Sequence, residues 1–174
     1  MPVSANRLSV AVEGPTAFVR VVGRGCAECA PHFKRAIERF RGEGVREVVL
    51  DLGACLLMDS TFAGVLAALA TGAGAGARPL PFTAVNAAPR VVDLLDNLGI
   101  RDRFRLVSGP PGPGPEAGCA EELPAEPATR EEAARCCLEA HRVLMALHPA
   151  NVARFQTLEC FLQAELGKAR PATG

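Results

Sequence analysis

At 174 residues and zero formal charge, the chain has the length for one ordinary domain and an appendage, and its 49% hydrophobic residues supply a sizeable core. The lack of a long basic block, of Trp and of Tyr removes the electrostatic footprint and the stacking platforms of a nucleic-acid binder. Seven cysteines at irregular spacing make no disulfide framework, and the opening MPVSANRLSV has no basic-then-apolar signal, so a reduced, cytoplasmic protein is expected.

Two β-prone runs, Leu8 to Val12 and Ala17 to Val22, flank the turn Glu13-Gly14-Pro15-Thr16 and predict a hairpin. In the second run Phe18, Arg20 and Val22 face opposite to Val19 and Val21. Gly23-Arg24-Gly25 reads as a loop, and Phe33, Ala36, Ile37 and Phe40 then form the stripe of a helix ended by Gly42 and Gly44. A strand is expected from Arg46 to Leu52, buried on both sides because Val48, Val49, Leu50 and Leu52 are nearly uninterrupted. After Asp59-Ser60-Thr61 a helical period sets in, with Phe62, Val65, Leu66 and Leu69 on one stripe and Ser60 at or near the N-cap. The uncharged run from Thr61 to Ala77 is shorter than the roughly 20 residues of a membrane span, and its second half, TGAGAGA, reads as a flexible linker. Leu80 to Val85 reads as a strand, with Pro81 pointing to an edge or a late start. A helix follows with Val91, Leu94, Leu95 and Leu98 as its stripe, Pro89 near its start and Gly99 past its end, and Phe104 to Val107 closes the series as a strand.

The order β-β-α-β-α-β-α-β predicts an α/β domain with a mixed sheet flanked by helices. Residues 1–108 are assigned to it. The proline-rich stretch 109–128 reads as a linker, since it cannot bury enough apolar surface to offset its ordering entropy. Over 129–170 a C-terminal helical hairpin is expected. Thr129 and Glu132 form a capping box, Cys137, Ala140, Leu144 and Leu147 line one helix, and His148-Pro149 breaks it. Phe155, Leu158, Leu162 and Leu166 line the second helix. Two helices make a thin core, so the hairpin should pack on its own domain or mediate contact with another chain.

A hydrophobic strand, a short connection and then Asp59-Ser60-Thr61 opening a helix of small residues resembles the STAS domain, the anti-sigma factor antagonist family. The resemblance spans about Arg7 to Val107. It implies a phosphorylation-gated protein-interaction module in signal transduction and transcription regulation, not an enzyme. In that family the serine after the Asp is phosphorylated by a partner kinase that doubles as the anti-sigma factor. Carried over by position, the acceptor is Ser60, the partner-binding face comprises Asp59, Ser60, Thr61, Phe62 and Gly64, and the partner is an anti-sigma factor or serine kinase. Gly64 stands where the family has a second small residue; the family's glycine two residues after the serine is Phe62 here.

Two other readings stay open. One is a constitutive STAS subunit of a larger complex, for example a transport system, without a phosphoswitch. The other is a thiol oxidoreductase built on Cys26-Ala27-Glu28-Cys29 at the opening of the first helix, where a helix dipole favours a thiolate. Against it, Gly25 precedes the pair, Glu28 stands inside it, and the preceding strands form a hairpin. Cys136, Cys137, His141 and Cys160 on the tail are poorly spaced for a tetrahedral zinc site. His32, His141 and His148 show no pairing with a nucleophile and an acid, and Gly72 to Gly76 lacks the Lys-Ser/Thr ending of a phosphate loop. No catalytic residue, metal or cofactor is expected.

Overall fold

The computed structural model describes residues 6–73, 77–109, 120–123 and 128–169. The glycine-alanine residues 74–76 and most of the proline-rich linker, 110–119 and 124–127, lie outside them.

Strands β1 (Arg7–Glu13) and β2 (Thr16–Gly25) form the expected antiparallel hairpin, turning at Gly14 with φ +56°. Helix α1 (Ala30–Gly42), strand β3 (Glu47–Met58), helix α2 (Ser60–Thr71), strand β4 (Phe82–Val85), helix α3 (Pro89–Asn97) and, after a short 3-10 turn, strand β5 (Phe104–Val107) follow. A two-residue strand β6 (Glu121–Glu122) and the helices α4 (Arg130–Leu147) and α5 (Ala150–Ala169) complete the order. The sheet runs β5-β4-β3-β2-β1-β6, with the pairs from β2 to β5 parallel and the β1 pairs antiparallel.

Because β2, β3, β4 and β5 advance in one direction, right-handed crossovers place α1, α2 and α3 on the same face. Burial agrees: Val48, Leu50 and Leu52 are at most 1% exposed, whereas Val49 and Asp51 between them are only partly buried. Strand β3 is thus covered on one side, not both. On its open face Arg20 pairs with Asp51 at 3.5 Å.

Three further departures come from long-range pairing. Gly23-Arg24-Gly25 is strand, not loop, because β2 stays paired with β3 through Gly25↔Met58, with register shifts near Val22 and Arg24 absorbing the irregularity. The same pairing carries β3 six residues beyond Leu52. Strand β6 lies inside the segment expected to be all linker; it pairs Ser9 with Glu122 and Val10 with Glu121, and Leu123 N–H donates to the Leu8 carbonyl at 2.8 Å. Strand β4 starts late, at Phe82, just after Pro81.

Helices α4 and α5 form a hairpin, with Arg130 paired to Glu165 and Arg142 to Glu159, both at 2.8 Å. The capping box is present, Thr129 accepting from Glu132 N–H and Glu132 from Thr129 N–H. The hairpin packs on its own chain. Leu144 (0% exposed), Ala140 and Cys136 join the core, and Lys34 and Arg35 of α1 pair with Glu139 and Glu132 of α4. The fully buried Asn151 fixes the start of α5, donating to the carbonyls of Leu98 and Leu144, each at 2.9 Å. Helix α2 is therefore enclosed between the sheet and α4. From Thr61 to Ala67 every residue is buried, which suits a helix without a single charge.

Candidate functional site

The candidate site is the start of α2. Asp59, not Ser60, is the N-cap: its Oδ1 accepts from Phe62 N–H at 2.9 Å, and Ser60 is the first helical residue. An aspartate at this position satisfies one unpaired donor and sets a negative charge against the positive end of the helix dipole. Its Oδ2 accepts from Ala27 N–H at 2.7 Å, and its own N–H donates to the Gly25 carbonyl at 2.9 Å. One carboxylate thus ties α2 to the Cys26–Cys29 turn.

The Ser60 side chain is partly buried, and its Oγ stands 2.9 Å from Nε2 of His141 on α4. His141 Nδ1 lies 2.7 Å from the Cys137 carbonyl, which accepts only, so Nδ1 carries the proton and Nε2 accepts from the Ser60 hydroxyl. The imidazole is 1% exposed and meets Phe155 edge to face, with ring centroids 4.5 Å apart. Burial is the main influence on it and holds its pKa below the usual histidine value, outweighing the Cys137 carbonyl and the Asp59 charge, which push the other way.

Thr61 is buried at 5% and donates to Cys137 Sγ at 3.5 Å. Gly64 meets α4 directly, since a Cβ there would stand 2.7 Å from the Ala140 carbonyl oxygen. Phe62, grouped by the resemblance with a partner-binding face, is 0% exposed and is no surface residue. Its ring packs 5.1 Å from that of Phe33 and over Gly25, where a Cβ would come within 2.9 Å of it. Gly25 supplies the room that this large side chain takes.

At the other end of the Asp59 bridge, the Cys29 thiol donates to the Cys26 carbonyl at 3.2 Å and lies 3.3 Å from Cys26 N–H. Cys29 stands at the N-cap position of α1, yet burial pushes its thiol up to about 12, away from the thiolate that redox exchange uses. Among the described residues, no group of three or more His, Cys, Asp or Glu could hold a metal ion, and no helix is long and apolar enough to cross a membrane.

The structure therefore gathers Asp59, Ser60, Thr61 and Gly64 at one place, joins Cys26 and Cys29 to it through Asp59, and adds His141, Cys137 and Ala140. Nothing local in the sequence marks His141 as the partner of a serine 81 residues away. The uncharged composition of α2 was the available sign that a second layer covers it.

His141 has a pH consequence. Its folded pKa lies below the unfolded value of about 6.5, so the unfolded chain binds more protons in between, and stability rises with pH across that interval. Melting temperature should fall as pH drops below about 6.5. The fall should be smaller in His141→Gln; equal slopes would assign the titration elsewhere.

The STAS domain family model matches residues 7–109. Among solved structures, the chain is similar to the one described as the anti-sigma factor antagonist SpoIIAA in its unphosphorylated form. The identity is 15% and the TM-score 0.49, over 59% of this chain and 88% of that one. No curated protein matches the sequence significantly. The match over 7–109 takes in both strands of the first hairpin, the three crossover helices and the start of α2, and the chain belongs to the STAS domain family.

Proposed function

We propose that the protein is a cytoplasmic protein-interaction module of the anti-sigma factor antagonist type, without chemistry of its own and gated by phosphorylation of Ser60. In the unphosphorylated state it binds a serine kinase or anti-sigma partner; the phosphate releases it. The observation that carries this reading is the place of the Ser60 hydroxyl, on the first residue of α2, with the exposed Leu56 and Leu57 four and three residues before it in the chain. A phosphate there meets helix N–H groups and the positive dipole end, worth about 0.3–1 kcal/mol, so the start of α2 itself tolerates it. A docked partner does not. Leu56 and Leu57, 64% and 42% exposed, precede the cap and give a partner an apolar contact. Nearly two negative charges beside that contact would cost the complex about 2–5 kcal/mol.

Co-expression with the cognate serine kinase should add one phosphate by intact mass, absent in Ser60→Ala, and Ser60→Asp should weaken capture of the partner. A constitutive subunit of a larger complex is the second reading, favoured by the hydroxyl already being engaged by His141. It predicts no phosphate and undiminished capture by Ser60→Asp.

A further inference from the structure

The hydroxyl that the proposed function modifies is not turned to open solvent. Within hydrogen-bond distance of Oγ stands a nitrogen whose ring is enclosed by Phe155 and by the α4 backbone at Cys137. One turn along α2, the Ala140 backbone rests on Gly64 so closely that α4 cannot shift inward, because even a methyl group would not fit between them. A phosphoryl group carried on Oγ along the present hydrogen-bond direction would overlap that nitrogen, 2.9 Å away. Pairing with it as an imidazolium would require a positive charge on a ring that is 1% exposed and packed against Phe155.

We propose that docking of the α4–α5 hairpin on α2 and phosphorylation of Ser60 exclude one another, so that the hairpin is a cis-bound ligand whose release is driven by the modified serine. The inference rests on Ser60 being the modified hydroxyl. It assigns the outer face of α2 at Gly64 as a helix-docking surface, covered by Ala140 of α4 in the unmodified chain. What holds α4 there is releasable. Its ion pairs to α1, Lys34–Glu139 and Arg35–Glu132, are partly exposed and open to solvent screening; beyond them stand the apolar contact of Cys136, Ala140 and Leu144 and the hydrogen bonds that Asn151 and Arg154 of α5 give to the Leu98 and Asn97 carbonyls, which must open with it. By reciprocity, a hairpin that docks more weakly leaves Ser60 more open to phosphorylation.

The chain carries its own reporters. Cys136 on α4 is 6% exposed, Cys55 in the sheet core 2%, and Cys160 on α5 is exposed, so iodoacetamide labelling read by peptide mass spectrometry separates hairpin release from global unfolding. In the full chain, Ser60→Asp should speed labelling of Cys136 by about tenfold, in the usual range of coupling between two sites, with Cys55 and Cys160 unchanged. His141→Ala, which leaves α2 intact, should give the same selective release. Unchanged labelling of Cys136 in both variants would overturn the proposal, as would Cys55 rising in step with Cys136. Comparison with the phosphorylated wild-type chain tells the two readings apart. If Ser60 takes phosphate but Cys136 stays protected, the coupling fails and the switch stands. If no phosphate is taken while Ser60→Asp frees Cys136, the switch fails and the coupling stands.

Discussion

Phe62→Ala is expected to lower the free energy of unfolding by about 3–5 kcal/mol, the range for emptying a fully buried aromatic site. The site has little freedom to collapse. Phe62 is 0% exposed, contacts Phe33 at a centroid distance of 5.1 Å and lies against the β2 backbone at Gly25. Strand pairing on β3 fixes that backbone, so the cavity should remain. Without Trp or Tyr, denaturant unfolding is followed by far-ultraviolet circular dichroism. A loss below about 1 kcal/mol would mean that the ring is not packed as described. The converse substitution gives the cycle its second arm. Gly25→Ala puts a Cβ 2.9 Å from the Phe62 ring, so it should destabilise the wild-type chain and be closer to neutral in Phe62→Ala.

Gly64→Ala sets two effects of known sign against each other. Helix propensity alone favours alanine by about 0.8–1 kcal/mol. The new Cβ, however, would stand 2.7 Å from the Ala140 carbonyl oxygen, 2.8 Å from its Cβ and 2.9 Å from its carbonyl carbon. Two of these are backbone atoms of a hydrogen-bonded helix, which cannot rotate away as a side-chain tip can. Overpacking of this kind costs about 1–3 kcal/mol and should win, with α4 rather than the sheet giving way. Hydrogen exchange should then quicken across α4 and α5 while the β2 and β3 amides keep their protection. A net gain in stability would show that the two helices do not touch there.

What was legible followed from local pattern. The stripe Phe62, Val65, Leu66 and Leu69 is buried, Thr129 and Glu132 form their capping box, and strands and helices follow one another as expected through β5. What was missed follows from pairing between distant segments. Gly23 to Gly25 and Gly53 to Met58 have weak strand propensity; they extend because β2 and β3 hold each other in register. Glu121 and Glu122 form a strand only because β1 offers a free edge. Ser60 lies beside the cap as expected, and the cap itself falls to Asp59 because its carboxylate has two oxygens and two waiting donors, Phe62 and Ala27. At the candidate site, Asp59, Ser60, Thr61 and Gly64 could be singled out from one motif, but the engagement of Ser60 by His141 depends on where the hairpin lands.

The enclosure of α2 between two layers also decides from which direction it can be read. With every residue from Thr61 to Ala67 buried, a visiting protein that approaches the start of the helix meets only a few atoms of Asp59 and Ser60. Discrimination among visitors must then come from what borders that doorway. Leu56 and Leu57, exposed near the end of β3, are the side chains to vary in changing whom the protein greets.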